Sequence, residues 1–129
     1  MRVLLDTHAI LYAMSDVSKL GRRALRLIES PDTVLFGSLA SLWEIAIKLR
    51  IGKLELPVSA SVFWNDALKR ARIVPMAIDE SAILKTLDFD LSHRDPFDRL
   101  LAAQAMVAGI PFISSDSAVD VWGVERIWD

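Results

Sequence analysis

The chain has 129 residues, 53% of them hydrophobic, so it is long enough for one domain with a substantial core and too apolar for a disordered chain. It contains no cysteine, which excludes disulfides and thiolate metal sites and fits a reducing cytoplasm. Its formal net charge of −2 provides no overall positive field, so a nucleic acid would have to bind a local basic strip.

The N-terminal half predicts strands alternating with helices. Its first apolar run is broken by Asp6 and His8, which predicts a short buried strand rather than a signal peptide or a membrane span. The third helix is expected to begin at a cap near Ser38 or Ser41 and to stop at Gly52. In chain order, the predicted elements are the strand RVLL (2–5), the helices THAILYAM and KLGRRALRLIES, the strand TVLFGS (33–38) and the helix SLASLWEIAIKLRIGKL.

The C-terminal half continues this alternation. Pro75 lacks a backbone N–H, so the strand that contains it belongs at a sheet edge. Asp79 is the expected N-cap of the helix after that strand, and Gly109 ends the next helix. The predicted elements are the helix SASVFWNDALKRAR, the strand IVPMAI (73–78), the helix DESAILKTLDF, the helix 96–108, and the strands IPFISS (110–115) and VERIW (124–128). The expected inner face of the first of these helices is Val62, Phe63, Ala67, Leu68 and Ala71.

This order of elements predicts an α/β fold. Strands that alternate with helices imply right-handed crossovers and a mostly parallel sheet of four or five strands, covered by helices on both faces. The sequence contains no internal repeat, low-complexity tract or linker. We therefore expect residues 1–129 to form a single domain.

The segment HRDPFDRLLAAQAMVAG (93–109) opens an apolar helix with two aspartates. Asp95 precedes a proline at the first helical position, which makes Asp95 the N-cap. Asp98 falls at the third helical position, where the helix dipole favours a carboxylate, and helix initiation alone explains both residues. However, Asp98 shares a helix face with Leu101 and Ala102, and a carboxylate on a buried face must be paired, protonated or bound to a metal.

Four acids from distant segments fall near one edge of the predicted sheet. Asp6 and Asp116 each follow a strand directly, Asp98 begins a helix at the same edge, and Glu44 lies in an otherwise apolar helix. Sites in open parallel sheets form beyond the carboxyl ends of the strands, so these acids are candidates for a shared site. Each also has an ordinary structural interpretation: the aspartates cap helices, and Glu44 pairs with Lys48 at i,i+4.

Carboxylates that converge in a low dielectric need a counter-charge. Oxygen ligands without cysteine favour Mg²⁺ or Mn²⁺, ions that activate water for attack on phosphorus. The sequence contains no Walker glycine loop, G-x-S-x-G motif or H-E-x-x-H motif, which weakens the case for a nucleotide motor, a serine hydrolase or a zinc protease.

Four motifs carry a resemblance that spans essentially the whole chain: LLDTHAILY, SLWEIAIK, HRDPFDRLLAAQA and FISSD. In this order the sequence resembles the PIN-domain family, specifically the VapC-like toxins of type II toxin–antitoxin systems. The resemblance implies a three-layer α/β/α sandwich and a ribonuclease that depends on Mg²⁺ or Mn²⁺. It also implies a homodimer and a cognate antitoxin that carries the DNA-binding module. The metal ligands that it implies are Asp6, Glu44, Asp98 and Asp116, of which Asp116 matches the acid least uniformly used by the family.

Several neighbouring residues are candidates for supporting roles. Thr7 is placed to orient the Asp6 carboxylate or a bound water. Asp95 is a candidate for holding a metal ligand in place or for serving as the alternative ligand, and Ser115 matches the hydroxyl residue that often precedes the family's final acid. Two-metal chemistry needs no histidine, so His8 and His93 are more simply structural residues or substrate contacts. The remaining candidates are Arg94 and Arg99 for holding a phosphate, and Lys48 and Arg50 for contacting an RNA backbone.

Large apolar side chains exceed what one small sheet needs, which suggests a partner surface formed by Trp43, Phe63, Trp64 and Trp122. Two alternatives to a ribonuclease stay open: a catalytically idle PIN-like scaffold that binds RNA or protein, and another Mg²⁺-dependent phosphohydrolase. Haloacid-dehalogenase-type phosphatases use a D-x-D pair, and here His8 stands two residues after Asp6. Transfer, ribosomal and messenger RNA are equally open as substrates.

Overall fold

The computed structural model describes residues 1–90 and 95–129. Its elements are β1 (Arg2–Leu5), α1 (Thr7–Ser15), α2 (Arg22–Glu29), β2 (Val34–Ser38), α3 (Leu39–Arg50), α4 (Ala60–Arg70), β3 (Ile73–Met76), α5 (Glu80–Lys85), α6 (Pro96–Ala108), β4 (Phe112–Ile113) and β5 (Arg126–Ile127). Short 3₁₀ helices occupy Val17–Lys19, Thr86–Asp88 and Ser117–Trp122. Within the described ranges, no helix is long and apolar enough to cross a membrane.

The five strands form one sheet in the order β3-β2-β1-β4-β5, and every pairing is parallel. The predicted α/β fold with a parallel sheet is therefore confirmed. Within the described ranges β3 pairs only with β2 and forms an edge of the sheet, as Pro75 predicted. β1 lies at the centre, and its Leu5 is level with Gly37 of β2 and Ile113 of β4.

Successive residues of β1 point to opposite faces of the sheet and belong to two separate cores. Val3 and Leu5 pack in one core and Leu4 packs in the other. The first core is completed by α1, α2 and α4, through Ala9, Ile10, Ala24, Phe63, Trp64 and Ala67. The second is completed mainly by α6, through Leu101, Ala102, Ala103 and Ala105. Helices thus cover both faces, which confirms the three-layer α/β/α arrangement.

The predicted apolar partner surface is wrong for three of its four residues. Phe63, Trp64 and Trp122 are buried, since each fills space between a face of the sheet and the helices above it. Trp43 is exposed and contacts Phe97 edge-on, with 5.4 Å between ring centroids. The predicted inner face of α4 also needs correction, because Val62 points to solvent and the neighbouring Trp64 is buried in its place.

Four strands are shorter than predicted, although β2 lacks only Thr33. β3 ends at Met76, because its partner β2 ends at Ser38 in the same register. β4 and β5 pair with each other over two residues each, after which the chain from β4 turns into the 3₁₀ helix. The second predicted helix begins later than expected, because Gly21 serves as the N-cap of α2.

Candidate active site

Three of the candidate acids follow or begin an element at the carboxyl edge of the sheet. Asp6 is the residue between β1 and α1, and Asp116 caps the 3₁₀ helix after β4. Asp98 lies in the first turn of α6. Glu44 lies on α3, which begins where β2 ends and is capped by the Ser38 hydroxyl. The ends of the strands and the helices that begin there therefore place all four acids at the carboxyl edge of the sheet.

These acids surround a single cavity of about 180 Å³. Its lining residues are Asp6, Thr7, His8, Leu11, Glu44, Lys48, Asp95, Asp98 and Asp116. Neither Ser115 nor Arg50 lines the cavity. A larger cavity of about 400 Å³ lies where α1, α2 and α4 end, but its lining includes one acid, Glu29, so it lacks comparable chemistry.

Asp6 is held on both carboxylate oxygens and is almost completely buried, with 2% of its surface exposed. Oδ1 accepts a hydrogen bond from the Thr7 backbone N–H at 2.7 Å, and Oδ2 accepts one from the Ser114 hydroxyl at 2.7 Å. Burial raises the pKa of Asp6 to about 6, and the like charges of Glu44 and Asp116 raise it further against the lowering effect of the hydrogen bonds. Ionised Asp6 is therefore costly without a bound cation.

Glu44 is also buried, and its two oxygens have different partners. Oε1 accepts a hydrogen bond from the Thr7 hydroxyl at 2.6 Å, and that hydroxyl lies 2.9 Å from the Ser41 hydroxyl. Oε2 lies 2.7 Å from Lys48 Nζ, and this hydrogen bond is the main reason that the pKa of Lys48 is raised. The predicted i,i+4 pair therefore exists, but it is part of the cavity and not of an open helix surface.

The two aspartates of the DPFD segment have different geometry. Asp95 Oδ1 accepts hydrogen bonds from the backbone N–H groups of Phe97 at 2.9 Å and Asp98 at 3.4 Å, which confirms Asp95 as the N-cap. The Asp98 carboxylate lines the cavity and is half-buried. Full burial of Asp98 was expected from its helix face, but the buried row begins one turn later, at Leu101.

Ser114 is a site residue that the sequence analysis missed. Its buried hydroxyl donates to Asp6 and accepts from the Asp116 backbone N–H at 3.0 Å, so it joins the two strand-end segments. Because Leu5 and Ile113 are paired neighbours in the sheet, the residues after them, Asp6 and Ser114, come together. A register prediction for the two strands was the signal that could have found Ser114.

Ser115 and His8 contact each other at the rim of the cavity. The Ser115 backbone N–H donates to His8 Nε2 at 3.0 Å, and the Ser115 hydroxyl lies 3.0 Å from the same nitrogen. His8 Nδ1 is 3.5 Å from Asp6 Oδ2, and the ring packs edge-on against Trp128. Burial lowers the pKa of His8 despite the acids around it, which favours a neutral ring. His93 and Arg94 lie outside the described residues.

The donor set of the cavity suits a hard divalent cation. Its side chains offer carboxylate and hydroxyl oxygens and no thiolate, which is the ligand chemistry of Mg²⁺ and Mn²⁺. In the described ranges, no three acidic or histidine side chains stand together in an arrangement that could hold a metal ion as they are placed. The fit therefore rests on the crowding of buried like charges and on the kind of donor, and not on a preformed coordination shell.

Comparison with known proteins gives a consistent result. The sequence matches the family described as PIN domain over residues 3–121. The fold is similar to VapBC2 from Rickettsia felis, solved bound to a DNA fragment from its promoter (TM-score 0.74, 14% identity, 100% of both chains covered). It is also similar to VapBC-1 from nontypeable Haemophilus influenzae (TM-score 0.70, 19% identity, 98% of this chain and 97% of that chain). A third similar structure is FitAcB from Neisseria gonorrhoeae (TM-score 0.62, 18% identity, 97% of this chain and 96% of that chain). No curated protein sequence matches the chain. The family match covers nearly the whole sequence, and the chain belongs to the PIN-domain family.

Proposed function

We propose that this chain is a metal-dependent endoribonuclease that acts as the toxin of a type II toxin–antitoxin pair. The observation that carries the proposal is the convergence of Asp6, Glu44, Asp98 and Asp116 on one small cavity. Membership of the PIN-domain family supports a hydrolase of the nuclease type. The substrate class and the metal ion are our inference from the chemistry of these acids.

The four acids would hold Mg²⁺ or Mn²⁺, which supplies an activated water and stabilises the leaving oxygen of a phosphodiester. The chain's own groups orient these ligands: Ser114 fixes Asp6, and the Thr7 hydroxyl fixes Glu44. Asp95 supports Asp98 by capping the start of α6. Lys48 at the cavity and Arg50 at the exposed end of α3 are our candidates for contacts to RNA phosphates.

The partners that we propose are a cognate antitoxin and a second copy of the chain, with the site working in the cytoplasm. The similar structures are named as VapBC and FitAB complexes, two of them with DNA, and we assign the DNA-binding role to the antitoxin. Exposed apolar side chains on α3 (Leu39 and Trp43) and near α5 (Ile83, Leu84 and Leu87) offer surface for such contacts. A sedimentation mass equal to one chain over a wide concentration range would contradict the homodimer.

The test is cleavage of end-labelled total RNA by the purified chain in Mg²⁺ or Mn²⁺. The variant is Asp98→Asn, and the matched control is Asp32→Asn, which changes an exposed aspartate in the turn before β2. We expect discrete products from the wild type and the control, and their loss both with EDTA and in Asp98→Asn.

Three outcomes contradict the proposal. Products that persist in Asp98→Asn contradict the role of Asp98 and leave Asp95 or a contaminant as the source of activity. No products in the presence of bound Mn²⁺ favour the catalytically idle scaffold that binds RNA or protein. Hydrolysis of a small phosphomonoester without RNA cleavage favours a different metal-dependent phosphohydrolase.

A further inference from the structure

We propose that Lys48 is a built-in counter-cation that occupies Glu44 in the metal-free protein and competes with the divalent ion for it. The inference rests on the proposed function, because it concerns the same acidic cavity. It assigns a role to Lys48 that is distinct from a phosphate contact: this side chain sets how tightly the site holds its metal.

The geometry gives Glu44 one fixed oxygen and one oxygen that Lys48 occupies. The Thr7 hydroxyl, itself buried, holds Oε1 at 2.6 Å. Lys48 Nζ lies 2.7 Å from Oε2, and the lysine side chain is 44% exposed whereas that of Glu44 is 6% exposed. A half-exposed lysine has room to swing out to solvent on its flexible stem. The buried Glu44 side chain, which Thr7 holds, has no such room. Its Oε2 atom therefore stays in the cavity when Lys48 moves away.

The charges around the cavity explain why the lysine sits there. Five carboxylates line the cavity, and among the described lining residues Lys48 is the only lysine or arginine. The Asp95 and Asp98 carboxylates add to the attraction that Glu44 exerts on the ammonium group. Lys48 therefore supplies in the metal-free state part of the positive charge that a divalent ion supplies in the loaded state.

An ordinary helix pair at i,i+4 makes different predictions. Such a pair joins two solvated side chains and stabilises a helix by about 0.3–0.5 kcal/mol without influencing a ligand. Here the acidic member is buried in the proposed metal site, so removal of Lys48 leaves an uncompensated charge that a cation then neutralises. Replacement of Lys48 should thus lower the stability of the metal-free protein and raise its affinity for the metal ion. One substitution would therefore have two opposite effects.

The experiment is a titration of the full chain with Mn²⁺ alone by isothermal calorimetry, at fixed ionic strength. Lys48→Met removes the charge and keeps the apolar stem, Lys48→Arg keeps the charge, and Lys69→Met is the matched control at an exposed lysine of α4. We expect Mn²⁺ to bind about tenfold more tightly to Lys48→Met, because a unit charge a few ångströms from a divalent ion is removed. Lys48→Arg and Lys69→Met should stay within about twofold of the wild type.

Thermal melting provides a second measurement on the same proteins. Lys48→Met should melt at a lower temperature than the wild type in EDTA and should gain more from saturating Mn²⁺ than the wild type gains. If Lys48→Met folds poorly, Lys48→Gln is used under the same criteria.

Two results for Lys48→Met overturn the inference. Unchanged Mn²⁺ affinity makes Lys48 a structural helix partner, and weaker affinity makes it a residue that positions Glu44 for the metal. If the wild type cuts RNA with Mn²⁺ while either result holds, the inference fails and the proposed function stands. A wild-type chain that does not bind Mn²⁺ overturns both.

Discussion

The two sides of the acidic cavity are built differently. On the β1–α3 side, Asp6 and Glu44 are 2% and 4% exposed, and both oxygens of each carboxylate have a partner within the protein. On the α6–β4 side, Asp98 and Asp116 are half-buried and lie at the first turns of helices. The groups that hold Asp6 and Glu44 come from three segments: the start of α1, α3 and the residue after β4. Among the four acids, burial is thus greatest at Asp6 and Glu44.

This difference implies different costs in the metal-free protein. A buried carboxylate loses the solvation of its charged form, while a half-buried one keeps part of it. Asp6 shows this cost directly, since burial raises its pKa to about 6. We infer that the more buried side of the cavity, with Asp6, contributes most of the unfavourable electrostatic free energy that a bound cation would relieve.

The largest predicted effect is a gain in stability from Asp6→Asn in EDTA. Because the folded pKa of about 6 exceeds the unfolded value of 3.8, ionised Asp6 destabilises the fold above about pH 6, and that cost disappears as the pH falls towards 4. At about pH 8 the free energy of unfolding of the variant should be about 1–3 kcal/mol higher than that of the wild type. This range allows for the weaker hydrogen bonds that an asparagine side chain accepts. Near pH 4 the gain should be gone.

Urea unfolding at both pH values measures this gain. Asp116→Asn, on the less buried side of the cavity, is the matched comparison and should gain less. Equal gains from the two variants, or a loss from Asp6→Asn at about pH 8, would contradict the contrast between the two sides. RNA cleavage should be lost in Asp6→Asn whatever the change in stability, since Asp6 is a proposed metal ligand.

The second predicted effect is a loss of stability from Ser114→Ala. The Ser114 hydroxyl links Asp6 on one side of the cavity to the Asp116 backbone on the other, and its removal leaves a buried carboxylate oxygen without a donor. We expect a loss of about 1–2 kcal/mol at neutral pH. Ser115→Ala is the matched control and should change stability by less than about 0.5 kcal/mol, because Ser115 is exposed. A larger loss from the control would assign the link between the two sides to the His8–Ser115 contact.

Local sequence signals predicted the less buried side best. The start of α6 follows from an aspartate cap and a proline at the first helical position, and its end follows from Gly109, whose φ of 68° suits glycine. These signals depend on neighbours within a few residues. They placed Asp95 and Asp98 correctly at the start of this helix without knowledge of the rest of the chain.

Interactions across the sheet could not be predicted in the same way. The buried Gln104 accepts from the Ser38 hydroxyl at 2.5 Å and donates to the Ala77 carbonyl at 3.2 Å, so α6 is joined to the ends of two strands. In the sequence Gln104 is one polar residue in a run of alanines, with no local sign of these partners. Gln104 and Ser114 are specified by strand register and layer packing, which depend on the complete fold.

The smallest predicted effect concerns the ion pair behind the less buried side. Arg126 Nε and Nη2 contact the two Asp120 oxygens at 2.8 and 3.1 Å, and Nη1 donates to the Ser114 carbonyl at 3.1 Å. Arg126 lowers the pKa of Asp120, so the pair stabilises the fold above the unfolded pKa of 3.8 and loses this effect as the pH falls below it.

Because Asp120 is half-exposed, Asp120→Asn should cost only about 0.5–1 kcal/mol at neutral pH, measured by urea unfolding, and the difference should vanish in acid. Asp88→Asn, which breaks an exposed pair with Lys85, is the control and should cost less, since that lysine holds no backbone group of the site. If Asp120→Asn costs as much as Ser114→Ala, the ion pair and not the buried hydroxyl sets the position of the strand-end segment. The segment between Ser114 and Asp116 would then depend on the 3₁₀ helix and β5 more than on the hydrogen bond to Asp6.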